Sequence, residues 1–102
     1  MSYATEEDKH LEIQMFSQYA LLKTIKLYYQ RTGTWLYKDS LGATAFLSSQ
    51  QVLQTVLNDA TKTTSLSLQL AQSRYPPFVL NRQDYQKCEY HVTFAMQLAS
   101  YT

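Results

Sequence analysis

Between Thr5 and Arg31 the chain contains neither glycine nor proline, and its apolar residues return every three or four positions. That is the spacing of an amphipathic α-helix, in which 3.6 residues per turn bring such positions onto one side. Leu11, Met15, Tyr19, Leu22, Ile25 and Tyr29 make one stripe. Ile13, Phe16, Ala20 and Leu27 make a second on roughly the opposite side. Thr5 and Asp8 resemble a capping box, and the acids Glu6, Glu7 and Asp8 suit the positive end of a helix dipole. Gly33 offers a left-handed stop. The pattern predicts a first helix over 5–31.

Thr34-Trp35-Leu36-Tyr37-Lys38 reads as a short extended connector. Asp39 or Ser40 then caps a second helix running to about Asn58 or Asp59, with Leu41, Ala45, Val52 and Val56 on its face. Ser65-Leu66-Ser67-Leu68-Gln69-Leu70 alternates with period two, which is a strand signal, yet its leucines also fit helical spacing. The lack of β-branched residues at its apolar positions favours a helix over 62–74. Pro76-Pro77 breaks whatever precedes it. Phe78-Val79-Leu80 is a second extended connector, and Asn81 caps a last helix whose stripes are Tyr85, Cys88, Val92, Met96 and Tyr90, Phe94, Leu98.

Helix, aromatic connector, helix thus occurs twice. Sliding the chain by 43 residues sets Leu27 on Leu70, Arg31 on Arg74, Trp35 on Phe78 and Tyr37 on Leu80, with Gly33 opposite Pro76. The expected fold is all-α: a single small four-helix domain made of two helix–connector–helix units, 5–59 and 60–102, as a pseudo-twofold internal repeat. The two short connectors would pair or lie side by side.

Composition narrows function mainly by exclusion. Nine Lys/Arg against eight Asp/Glu leave a net charge of +1, too weak a field to steer DNA or acidic lipid. One cysteine rules out an internal disulfide framework. The polar, acidic start is not a secretory signal, and no apolar run reaches membrane-spanning length. These features predict an intracellular, cytoplasmic chain.

No catalytic site, cofactor site or metal site is expected. Asp84, Cys88 and His91 share a helical face, but three such groups without paired Cys or His motifs fall short of a structural zinc site. A mid-helix thiol also lacks the positive field that would activate it. Two glycines leave no phosphate-binding loop. The expectation is a non-enzymatic protein–protein interaction or assembly module holding a partner peptide or helix in a groove between the units. Trp35, Leu36, Tyr37, Tyr75, Phe78 and Val79 would line that groove, with Arg31 and Arg74 at the rim. A homodimer is compatible with this. The alternative is a nucleic-acid-binding subunit using Lys23, Lys26, Arg31 and Lys38 for phosphate and Tyr28, Tyr29 and Trp35 for base stacking.

Overall fold

His10-Leu11-Glu12-Ile13-Gln14-Met15 alternates polar and apolar residues without a break, and in the structure it is a strand. The computed structural model of the chain describes residues 10–18, 20–30, 32–70 and 76–81. Six strands form one antiparallel sheet: β1 (His10–Ser17), β2 (Ala20–Tyr29), β3 (Trp35–Asp39), β4 (Thr44–Leu47), β5 (Ser65–Leu70) and β6 (Phe78–Asn81). Their spatial order is β4-β3-β2-β1-β5-β6, so β1 and β2 are central and, among the described residues, β4 and β6 are the two edges. One helix, α1 (Ser49–Ala60), connects β4 to β5.

The period-two pattern determines which face is dry, because successive side chains of a strand point to opposite sides of the sheet. Register places Leu11 opposite Leu27 and Leu70, Ile13 opposite Ile25 and Leu68, and Met15 opposite Leu66. With Trp35, Tyr37 and Leu80 these residues form the buried core, Leu70 packing half-buried against it, and Val52, Val56 and Ala60 of α1 close over them. The core therefore lies on one side of the sheet, under α1. The other side carries His10, Glu12, Gln14, Lys26, Lys38 and Gln69, none of them buried.

Local chemistry sets the ends of α1. Ser48 is the N-cap: its Oγ accepts from the Gln51 amide at 3.2 Å, and the Gln51 Oε1 accepts from the Ser48 amide at 2.8 Å. This reciprocal pair satisfies two amides that the helix cannot bond itself. The Trp35 indole N–H donates to Ser49 Oγ at 3.1 Å, which ties the first helical turn to β3. At the far end the buried Thr63 hydroxyl donates to the Ala60 carbonyl at 2.9 Å.

The all-α, four-helix expectation is overturned: the architecture is mainly antiparallel sheet with a single helix among the described residues. The 5–31 helix is replaced, within the described residues, by β1 and β2. The turn between them contains no Gly, Pro or Asn; Gln18 takes a left-handed φ of 51° instead. Two strands with so discreet a turn merge, on a helical wheel, into one long helix with two apolar sides. The predicted helix from 39 or 40 to 58 or 59 shortens to α1, since Thr44–Leu47 is a strand. The 62–74 helix gives way to β5 over Ser65–Leu70.

The internal repeat is overturned with it. A shift of 43 residues matches β2 to β5 and β3 to β6, so the likeness is that of alternating strands and not of two helical hairpins. Trp35 and Phe78 lie on β3 and β6, four strand spacings apart, or roughly 19 Å. The connectors do not meet, and the groove expected between them does not form. Helical readings for 5–9 and for 82–102 fall outside the described residues.

Candidate interaction edge

Hydrogen-bond parity decides which backbone groups each edge strand turns outward. In an antiparallel ladder, alternate residues bond to the neighbour on one side and the rest face the other way. The Ser40 amide donates to Thr24 O at 2.8 Å and the Gln30 amide to Thr34 O at 2.9 Å, so the even-numbered residues of β3 turn to β2. The odd ones turn to β4, as the Asp39 amide does in donating to Ala43 O at 3.0 Å. On β4, Ala45 and Leu47 are therefore bonded to Tyr37 and Trp35. Thr44 and Phe46 direct their N–H and C=O groups away from the sheet.

The strand that carries these outward groups is itself uncharged, with Lys38 of β3 beside Thr44 on the outer face. Thr44, Ala45 and Phe46 are exposed, Phe46 to 69%, and Leu41 at the tip of the preceding hairpin to 73%. From Ser40 to Asn58 the chain carries no Asp, Glu, Lys, Arg or His. Sheet edges in monomeric proteins are normally blunted by lysine, proline or an inward-pointing charge, because a bare edge templates pairing with another strand. β4 has none of these guards.

A polar cluster beneath the hairpin holds this edge in place. Asp39 Oδ1 accepts from the amides of Leu41 and Ala43 at 2.9 and 3.0 Å, and its Oδ2 accepts from the Tyr37 hydroxyl at 2.8 Å. Lys23 Nζ lies 3.4 Å from Asp39 Oδ2 and 2.7 Å from Asp59 Oδ2, joining β2 to both the hairpin and the end of α1. Burial by itself would raise the Asp39 carboxyl, but the Tyr37 hydroxyl, the two amides and Lys23 hold it below its ordinary value. Burial opposes the charge on Lys23 too, yet its bonds to Asp59 and Tyr37 outweigh that and raise it well above an ordinary lysine. Burial also raises the Tyr37 hydroxyl. Gly42 completes the turn at φ 96°, where a side chain would be strained. Asp39 thus caps the hairpin and not a helix, using the side-chain-to-amide bond that the sequence suggested.

The residues expected to line a groove are scattered. Trp35 and Tyr37 are core residues, exposed to 1% and 5%, and so out of a partner's reach. Leu36 is half-buried on the outer face, between Tyr28 and Phe46. Val79 is exposed on β6, at the opposite edge from Leu36's neighbour β4. Phe78 pairs with Leu68 through the backbone. Arg31, Arg74 and Tyr75 lie outside the described residues, as do Asp84, Cys88 and His91.

The alternative set also divides. Lys26, Lys38 and Tyr28 share the outer face, where Lys38 Nζ sits 5.7 Å from the Tyr28 ring centroid and His10 stacks on that ring at 5.0 Å. Glu12 stands directly opposite Lys26, and these residues border a shallow depression of about 410 Å³ with Gln14, Thr24 and Ser40. Lys23 is engaged by two carboxylates under the hairpin. Trp35 and Tyr29 pack edge-to-face at 4.9 Å, with Trp35 in the core. Among the described residues no three His, Cys, Asp or Glu side chains are grouped to hold a metal. No helix among them is long and apolar enough to cross a membrane.

Sequence reasoning missed Thr44 and Phe46. The signal for them was the charge-free stretch after Asp39, combined with the β-prone Thr-Ala-Phe-Leu tetrad and the Asp-x-x-Gly turn before it. No family model, no curated protein and no solved structure matches this chain.

Proposed function

We propose that this chain is a non-enzymatic protein-interaction module that accepts an extended partner segment along the outer edge of β4. One observation carries the reading: Thr44 and Phe46 turn their backbone groups outward on a strand without charge or proline. Strand addition takes its affinity from main-chain hydrogen bonds and its specificity from alternate side chains. Phe46 supplies the aromatic anchor, with Leu36 beside it on the outer face and Leu41 at the hairpin tip. The Asp39–Lys23–Asp59 cluster keeps the edge rigid before a partner arrives, which reduces the ordering cost of binding.

A nucleic-acid role draws less support from the same surfaces. Its described cations fall on two sides of the sheet, Lys23 on one and Lys26 and Lys38 on the other, where Glu12 accompanies them. A peptide groove between repeat units has no support left, since its walls were to be helices.

The test uses a displayed library of random octapeptides selected on the full chain. Selected peptides should be rich in β-branched and aromatic residues, and should slow hydrogen exchange at the Thr44 and Phe46 amides. Peptides that bind but protect only outer-face residues such as Tyr28 and Lys26 would contradict the edge.

A further inference from the structure

We infer that the strand accepted at this edge is β4 of a second copy of the same chain, paired antiparallel about a twofold axis at Ala45. The inference rests on the edge-acceptor reading above and names its partner. An antiparallel pair of identical strands is self-complementary, so one contact satisfies both copies and closes without forming a chain of molecules.

Parity selects the register. The outward groups belong to Thr44 and Phe46, so Thr44 of one copy bonds with Phe46 of the other, and the reverse pair repeats it across the axis. Ala45 then meets its own copy at the non-hydrogen-bonded position. There Cα atoms approach to about 4.5 Å and side chains crowd most closely, which suits alanine. Thr44 and Phe46 point to the outer face, where each Phe46 ring covers the Thr44 of the other copy and keeps Leu36 on its inner flank. Ala45 and Leu47 point to the helix face, so both α1 helices lie on the same side of the joined sheet.

Charge supports a self-partner over a foreign one. An edge built for an oppositely charged segment would carry charge, whereas Ser40–Asn58 carries none and so brings no like-charge repulsion to a symmetric contact. The opposite edge is partly guarded. Continuing the parity through β2, β1 and β5 turns Phe78 and Leu80 of β6 inward and Pro77 and Val79 outward, and Pro77 has no amide to give. Among the described residues one edge is free of proline and charge while the other carries Pro77, and a symmetric pair at β4 closes as a dimer and not a fibre. Four residues per strand make a small interface, so the dimer is concentration-dependent and not obligate.

The experiment is sedimentation velocity of the full chain across a concentration series, beside Phe46→Lys, with cysteine trapping as a second readout. The weight-average mass should climb from 11.9 kDa toward twice that value. Phe46→Lys should weaken association about tenfold or more while its urea midpoint stays unchanged, because an edge lysine is the usual guard. Under a thiol–disulfide buffer, Ala45→Cys should yield covalent dimer faster than Val79→Cys on the other edge, and faster than the parent chain with Cys88 alone. The axis spacing lies inside the range a disulfide can span. A chain monomeric throughout, a dimer indifferent to Phe46→Lys, or Val79→Cys trapping as fast as Ala45→Cys overturns the inference. If the chain stays monomeric while selected octapeptides still protect Thr44 and Phe46, only the self-partner fails. If neither happens, the edge-acceptor reading fails with it.

Discussion

The two edges of this sheet are built on opposite plans. β6 follows Pro76-Pro77, and its buried Leu80 anchors it to the core beside β5. β4 follows a capped hairpin turn, exposes Thr44, Ala45 and Phe46, and has no proline or charge along it. An antiparallel sheet needs some answer to its unpaired edges. At β6 part of the answer is Pro77, which stands at the outward position before Val79. β4 carries no such guard. Core-facing residues of an edge strand report stability, and outward-facing ones report recognition.

The largest effect expected from breaking this contrast is at β6. Leu80→Ala removes a nearly buried side chain opposite Leu66 and should cost about 3 kcal/mol of unfolding free energy, read from urea denaturation. A loss well under 1 kcal/mol would mean that β6 is not anchored through the core. Next comes Asp39→Ala, which removes the acceptor of the Leu41 and Ala43 amides and the Tyr37 hydroxyl and leaves Lys23 with Asp59 and Tyr37. It should cost about 2 kcal/mol, with faster amide exchange at Ala45 and Leu47 than at Leu80.

Acid probes the same carboxylate. Because its value in the folded chain is depressed, the stabilisation from Asp39 is fully present above the unfolded carboxyl value of about 3.9 and is lost as pH falls through the lower folded value. The urea midpoint should therefore decline below about pH 4, and more steeply than that of Asp39→Asn. Parallel curves for the two chains would remove Asp39 as the anchor of β4. The smallest effect on stability belongs to Phe46→Lys, within about 0.5 kcal/mol, because the ring is largely in water. Its whole expected effect is on association.

How much of this was legible in the sequence depends on turn chemistry. Trp35–Tyr37 and Phe78–Leu80 read correctly as extended, since a glycine or a proline pair marks their starts. β1 and β2 were hidden because Gln18 makes their turn without a marker residue, and Leu11, Ile13, Met15, Ile25 and Leu27 satisfy both periods once the break is overlooked. The second apolar stripe on the supposed helix was the trace of that error: it came from pooling two strands, not from one helix with two buried faces. Ser65–Leu70 showed its true period, and the absence of β-branched residues outweighed it wrongly, because burial under α1 rather than propensity decided that strand. Asp39 or Ser40 was expected to cap a helix; Asp39 instead caps a turn that Gly42 closes three residues later. The proposed interaction edge was readable only as a run of residues without charge, which acquires meaning once Thr44–Leu47 is known to be an edge strand.

The most direct test of the contrast is residue-resolved amide hydrogen exchange on the full chain at rising protein concentration. In dilute solution Ala45 and Leu47 should be protected by β3 while Thr44 and Phe46 exchange quickly. On concentrating, Thr44 and Phe46 alone should slow, and Val79 on the other edge should not change. Equal exchange along β4 when dilute, or slowing at Val79 in place of Thr44 and Phe46, would contradict the account.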